Sequence, residues 1–465
     1  MSNSPDVLFL VLDSLRMDRV STYDHDRETT PALSTLATYA TTYENAFTPA
    51  PWTLPSHASM FTGSFPSEHG VTNGFSDGMS RLEPSQSTLA EELTAGGYRT
   101  AGFSNNPWVG QLSGLNRGFE EFVEWDLEIS SSTDDGIHTR RDERHSRFHS
   151  ALGKAARQPA FLLKRRFFTD SLVDRAKRWL TRRADEDEPT FTFLNLMEAH
   201  SPYFPPKQAF ADLGLETPNP IEPRILNTKL LAYVMGKANL DPETRERVME
   251  YYDASARYQD SKVEELFGLL QTEGLFDDTL VIVCADHGKT LGDYPRDEHP
   301  PHYLRDINLN VPLWIKRPGQ QAGETVDEPF ELVSLYDVVC DGNPSAGTYT
   351  RETAIAEDFV PHAGRSTPEE IARWRVVADR EYKYVRNDAG EEHLYDRSTD
   401  VRQSRPDPDR LEAYGDALSD RTRRFGADDA EATADEGDGD RTGDESRTNE
   451  IDSSVEAQLK DLGYM

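Results

Sequence analysis

Lysine is scarce in this chain of 465 residues. Only 11 of its 50 basic residues are lysine, and 83 acidic residues leave a formal net charge of −33. A surface this acidic repels the nucleic-acid backbone, so DNA and RNA are not expected partners. The excess is not confined to the C-terminal tail. An acidic, arginine-using chain is what a halophile's cytosol requires, where surface charge keeps a protein soluble. Cysteine is nearly absent as well. Cys284 and Cys340 form neither a disulfide framework nor a metal-type spacing. Long apolar runs are missing too. The run Val7–Leu12 is six residues, far short of the ~18 needed to span a bilayer. It also lacks the basic flank of a secretory signal. A cytoplasmic protein is expected.

What is present is a repeated strand pattern. DVLFLVLDSLR opens the chain with a continuous apolar run, as in a strand buried on both faces of a parallel sheet, and the run ends in Asp13. TFTFLNLMEAH (190–200) and TLVIVCADHG (279–288) repeat the pattern, ending in His200 and in Asp286–His287. Helical stretches such as LVDRAKRWL and RVMEYYDASARYQDSKVEELFGLL separate them. Ligands of open α/β sheets bind at the carboxyl ends of the strands, where these polar residues fall. The expected fold is therefore α/β, a doubly wound sheet over residues 1–320. Beyond it the pattern alternates polar and apolar. ARWRVVADREYKYVRNDAGEEHLYD (372–396) reads as an antiparallel hairpin with a DAG turn, within a small α+β domain over 321–405. Residues 406–465 are expected to form an acidic, largely disordered tail with a terminal helix.

One segment runs against the acidic trend. Residues 137–183 carry 14 Lys and Arg against 4 Asp and Glu. Its second half places Leu172, Val173, Ala176, Trp179 and Leu180 on one helical face, the pattern of a core helix with a basic outer side. The first half belongs to a basic insertion near 126–168. It is either a solvated loop or a peripheral contact with an anionic membrane.

The chemistry centres on PWTLPSHASMFTG (51–63). Pro55 and Ser56 suit a helix start and Gly63 its end. Thr53 then lies at a helix N-terminus, where free N–H groups and the helix dipole favour an anion. A hydroxyl there, ionised against a divalent cation, can attack phosphorus or sulfur. Taken alone, Thr53 is better explained as a capping residue. It is not alone. Asp13, Asp286 and His287 follow buried strands, and carboxylates are rarely buried without a partner. Two carboxylates, an imidazole and an alkoxide can hold one divalent metal ion, Mn, Ca, Mg or Zn.

These stretches, with TPALSTLA, NLMEAHSPY, YYDASARYQDS, ADHGKTLGD, NVPLWIKRPG, DREYKYV, HLYD and the final LKDLGY, resemble the sulfatase family of the alkaline-phosphatase superfamily over nearly the whole chain. The resemblance implies an alkaline-phosphatase-like sheet with a smaller C-terminal α+β domain. It implies Asp13, Asp286 and His287 as metal ligands, with the nucleophile at Thr53 completing the shell. It also implies Asn73 as a substrate-binding residue and His200 as the group that binds substrate oxygen and assists the leaving group.

The departures from the family have a chemical direction. Sulfatases read Cys/Ser-x-Pro-Ser-Arg and oxidise the first residue to formylglycine. Here the segment is Thr53-Leu54-Pro55-Ser56-His57, and threonine cannot give the aldehyde. His57 stands for the arginine, where it either contacts the nucleophile or caps locally. Ser14 stands for a second aspartate. Ser104-Asn105-Asn106-Pro107 replaces Gly-Lys-Trp-His, leaving Asn105 to contact an oxyanion, and His299 or His302 stands in for a later lysine. A threonine ester must be attacked at its central atom, which is ordinary for phosphoryl enzymes. The site is similar to one metal position of nucleotide pyrophosphatase/phosphodiesterases and to the threonine site of lipoteichoic-acid synthases. The expected function is a hydrolase or transferase of phosphate, phosphodiester or sulfate esters, acting on a small-molecule, lipid or sugar ester. The alternatives are a formylglycine-independent sulfatase and a non-catalytic anion-binding or membrane-complex scaffold.

Overall fold

A computed structural model describes residues 4–72, 80–124, 168–184, 187–234, 236–294, 304–359, 373–403 and 407–422. The insertion at 126–167, the tail beyond 422, Asn73, His299 and His302 lie outside the described residues.

Among the described residues, fourteen strands form two sheets. The first comprises β1 (Val7–Leu12), β2 (Thr41–Phe47), β3 (Arg99–Ser104), β4 (Glu121–Glu124), β5 (Thr190–Leu196), β6 (Leu280–Cys284), β7 (Asn310–Lys316), β8 (Glu324–Val326) and β9 (Phe330–Glu331). Its order is β4-β3-β5-β1-β6-β7-β2-β8, with β9 also paired to β2. The three apolar runs read from the sequence, β5, β1 and β6, are its parallel centre. Every residue of the three is buried, which is why they read as continuous rather than alternating. The sheet is mixed, because β7 runs antiparallel to both β6 and β2.

Register brings the chemistry together. Val11 pairs with Cys284, so continuing the pairing two residues sets Asp13 opposite Asp286. On the other side Leu12 pairs with Leu196, and the Asp13 N–H donates to the Leu196 carbonyl at 2.9 Å. Helices cover the faces, among them α1 (Pro31–Ala37), α2 (Thr53–Thr62), a helix over 168–183 and the long helix Pro242–Thr272. Leu172, Val173, Ala176, Trp179 and Leu180 are all buried, as their spacing implied. Phe61 of α2 packs edge-on to Phe193 of β5, their ring centroids 4.9 Å apart. Among the described residues no helix is long and apolar enough to cross a membrane.

The second sheet is an antiparallel meander of β10 (Ala354–Asp358), β11 (Trp374–Ala378), β12 (Tyr382–Asn387), β13 (Glu392–Asp396) and β14 (Val401–Arg402), in that order. The segment read as one hairpin is therefore three strands. The DAG turn joins β12 to β13, with Gly390 at φ +86°. A second turn over 379–381 reverses the chain between β11 and β12, where the Asp379 carboxylate accepts from the Glu381 and Tyr382 amides at 2.7 Å each. That turn escapes a Gly-based reading because a side chain supplies its hydrogen bonds.

Candidate active site

Helix α2 begins at Thr53, two residues before the Pro55 start that the sequence suggested. Pro55 fits inside the first turn because its missing N–H would have no helical partner there. Two hydroxyls, one on this helix and one in the segment leading to it, bind the residue just past the end of β6. Thr48 Oγ1 and Ser56 Oγ both donate to the Asp286 carbonyl, at 2.5 and 2.8 Å. The nucleophile candidate is thus tied to the metal-ligand candidates through backbone as well as side chain. Thr53, 1% exposed, holds Oγ1 3.3 Å from His287 Nε2.

Asp13, Asp286 and His287 are buried, and one ligand atom from each lies within 4.8 Å of the others. His287 Nδ1 sits 2.5 Å from the Gly288 carbonyl. That bond fixes the proton on Nδ1 and leaves Nε2 as the lone pair, facing Asp286 Oδ2 at 3.6 Å. Asp286 Oδ1 accepts from the amides of Ser14 and His287, both at 2.9 Å. Ser14 reaches this position at φ +62°, the left-handed region that costs a non-glycine residue roughly 1–3 kcal/mol. Asp286 Oδ2 is buried with no hydrogen-bond partner among the described residues. Burial, and then repulsion from Asp13, push the Asp286 carboxyl well above its usual range. Burial also raises Asp13, but His200, His287, His57 and the Asn106 amide outweigh it and hold its carboxyl low. Two adjacent buried carboxylates, an orphaned carboxylate oxygen and an imidazole lone pair turned the same way fit a divalent cation.

The other residues singled out from the sequence have distinct places. His200 lies four residues past β5, with Nδ1 2.6 Å from the Ser201 carbonyl, and interacts electrostatically with Asp13. His57 is fully buried. Its Nδ1 is 2.9 Å from the Thr53 carbonyl and 3.6 Å from Asp286 Oδ2, and its ring packs edge-on to Phe193. Burial pushes its imidazole down to about 4, so it is a neutral hydrogen-bonding group where the family has a cation. Asn105 Nδ2 donates to Thr169 Oγ1 at 3.0 Å. Its neighbour Asn106 reaches the metal ligands instead, donating to Asp13 Oδ2 at 2.6 Å. Ser14 Oγ donates to Asp13 Oδ1 at 2.8 Å. The residue in the second aspartate's position therefore orients Asp13.

The sequence alone assigns no role to the buried polar residues of YYDASARYQDS. On the helix Pro242–Thr272 they hold the loops around the site. The Tyr252 hydroxyl donates to the Ser14 carbonyl at 2.8 Å and accepts from the Arg16 amide at 2.7 Å. Asp253 pairs with Arg27 and Arg19, and Gln259 donates to the Leu196 carbonyl at 2.6 Å. Asp260 accepts from the Ala32 and Leu33 amides at the start of α1. Arg16 binds Asp18 and Asp293 and reaches the Lys289 carbonyl, joining the loops after β1 and β6. A polar residue every few positions on a long buried helix is the signal that points to them.

Comparison with known proteins places this arrangement. The family model described as Sulfatase matches residues 5–340. A sulfatase of Formosa agariphila is 22% identical over 436 residues, covering 86% of this chain and 82% of the relative. A choline-sulfatase of Rhizobium meliloti is 26% identical over 340 residues, covering 69% of this chain and 64% of the relative. Among solved structures, the phosphonate monoester hydrolase of Agrobacterium radiobacter superposes with a TM-score of 0.67 at 19% identity, covering 90% of this chain and 96% of that one. The family match spans well over half the chain, and the fold agrees with it: this protein belongs to the sulfatase family of the alkaline-phosphatase superfamily, whose members hydrolyse sulfuric and phosphoric esters.

Proposed function

We propose that the protein is a metal-dependent hydrolase or transferase of phosphate monoesters or diesters that uses Thr53 as its nucleophile. The observation that carries the reading is the position of Thr53 Oγ1. It is buried at the first residue of α2, 3.3 Å from the unprotonated nitrogen of His287 and beside the Asp13–Asp286 pair. A cation held by Asp13, Asp286 and His287 would supply the field that lets this hydroxyl lose its proton near neutral pH. Thr53 Oγ1 then forms a bond to the central atom as the bond to the ester's alcohol breaks on the opposite side. His200, entering the step as the imidazolium, keeps its Nδ1–H on the Ser201 carbonyl and gives its Nε2 proton to the departing oxygen, which leaves it the neutral Nδ1–H tautomer. Water or an acceptor alcohol, giving its proton to the now neutral Nε2 of His200, attacks the same central atom, and Thr53 Oγ1 leaves. Phosphorus is favoured over sulfur because a threonine ester has no geminal hydroxyl with which to eliminate sulfate. It must be displaced at the centre, a step phosphoryl enzymes make routinely.

The names of the relatives favour a second reading, a sulfatase that works without formylglycine. Parallel assays on p-nitrophenyl phosphate, its diester and p-nitrophenyl sulfate, in molar salt with Mn²⁺, separate the two. The proposal expects phosphate turnover to exceed sulfate turnover, and Thr53→Ala to lose about 10³-fold or more in kcat while still binding Mn²⁺ through Asp13, Asp286 and His287. Undiminished turnover in Thr53→Ala would end the nucleophile assignment.

A further inference from the structure

Among the described residues, the site is short of positive charge. The arginine that usually follows Pro-Ser in the family is His57 here, a shorter side chain that is fully buried with its Nδ1 on the Thr53 carbonyl. Arg16 is 1% exposed and committed to Asp18 and Asp293. With a divalent ion in place, Asp13 and Asp286 cancel its charge, and an incoming phosphate monoester adds nearly two negative charges. Such an anion needs a cation beyond the metal.

Lys289 is placed to supply it. It follows Asp286, His287 and Gly288 without a break. Gly288 lies so close to the neighbouring backbone that an added Cβ would sit 2.0 Å from the Ile307 carbonyl oxygen. The Gly288 amide donates to the Asn308 carbonyl at 2.8 Å, and Arg16 Nη1 holds the Lys289 carbonyl at 3.2 Å. The backbone that carries the lysine is thus fixed on both sides. From there Nζ crosses from the β6 end of the sheet to the β5 end and donates to the neutral Ser201 hydroxyl at 2.8 Å. Ser201 in turn receives the His200 Nδ1–H on its carbonyl. The ammonium is therefore joined to His200 through Ser201 and lies within electrostatic reach of His287.

We infer that Lys289 is the residue that binds the non-bridging oxygens of an anionic phosphate ester. It takes the part of the cation missing at position 57, with Ser201 holding its side chain across the mouth of the site. This inference rests on the phosphoester reading of the site. Its test is calorimetric titration of inorganic phosphate into the Mn²⁺-loaded full chain, which requires no turnover. Lys289→Met is expected to weaken phosphate about tenfold or more, the worth of one charged hydrogen bond, with Mn²⁺ content and melting temperature unchanged. Lys289→Gln, which keeps a donor for Ser201 but not the charge, is expected to match Lys289→Met, and Lys289→Arg to recover most of the affinity. Wild-type phosphate affinity in Lys289→Met or in Lys289→Gln overturns the inference. So does a loss that tracks lost metal or early melting in all three variants. If no ester is turned over but phosphate binding still depends on Lys289, the hydrolase reading fails and this one stands.

Discussion

The Asn106 side-chain amide donates to Asp13 Oδ2 at 2.6 Å, joining the ends of β3 and β1 across 93 residues of sequence. With Ser14 Oγ on the other oxygen, it holds the carboxylate in one orientation. Groups that orient a metal ligand typically contribute 10–100-fold to metal affinity. Asn106→Ala is therefore expected to weaken Mn²⁺ binding by about that factor. Asn105→Ala, which breaks the bond to Thr169 instead, is expected to leave Mn²⁺ affinity within about twofold. Titration of Mn²⁺ followed by calorimetry checks both, and equal losses in the two variants would refute the assignment of Asn106.

Gly288 makes a second, backbone-level prediction. A Cβ there meets the Ile307 carbonyl oxygen at 2.0 Å, a backbone atom that cannot rotate away. Gly288→Ala must shift either the Asp286–Lys289 segment or residues 306–308. Overpacking of this kind typically costs 1–3 kcal/mol. A shift of the Asp286–Lys289 segment moves His287 with it, so both the urea midpoint and the Mn²⁺ affinity are expected to fall. A variant with a wild-type midpoint and full metal binding would show that the close approach is not needed.

The fold and the four residues Asp13, Thr53, Asp286 and His287 are legible in the sequence because each follows a local pattern. Three are strand-end residues after continuous apolar runs, and one opens a helix flagged by Pro55. The third dimension is not legible. Nothing local distinguishes Asn105 from Asn106, since which amide faces Asp13 depends on the turn after Ser104, where the Ser104 hydroxyl accepts from the Asn106 amide at 3.1 Å. The mixed character of the sheet is hidden for a similar reason. β7 is as apolar as a parallel strand because it is buried along nearly its whole length, so its direction leaves no mark on its composition. The supports on the helix Pro242–Thr272 are visible as buried-looking polar residues, but their partners lie far off in sequence, those of Tyr252 and Asp253 more than 200 residues away.

His57 tests what the loss of the family arginine means. Its ring fills space against Phe193 and its Nδ1 is bonded to the Thr53 carbonyl. His57→Ala leaves a cavity and an unmet acceptor, and is expected to cost about 2–4 kcal/mol. His57→Asn places an amide near the Nδ1 position and is expected to recover part of the lost stability. His57→Arg must fit a longer, charged side chain beside Phe193, so a lower melting temperature than wild type is expected. Equal melting temperatures for wild type and His57→Arg would show that the pocket still accommodates the family's residue.

Asp306 links the two sheets and gives a prediction in pH. It lies just before β7, and its carboxylate pairs with Lys383 of β12 and Arg397 beyond β13, at 2.6 Å each. Burial raises this carboxyl, but the two cations outweigh it and hold the group down to about 2. The folded value lies below the ordinary one of about 3.9, so the unfolded chain binds the proton more readily. The stabilisation is complete above about pH 5 and is lost as pH falls through 4 towards 2. Its size follows from the shift, about 2 kcal/mol, and the side chain is only 20% exposed, so little is lost to solvent screening. Asp306→Asn is expected to lose about that much at pH 7, together with any penalty for leaving Lys383, itself 1% exposed, without its carboxylate. Urea denaturation at constant salt, run on both proteins from pH 7 to pH 2.5, measures the difference. It should be largest at neutral pH and shrink on acidification, because protonation removes the same charge in the wild type that the mutation removes. A gap that stays constant across that range would mean that the ion pairs between the sheets contribute shape and packing but no net electrostatic stability.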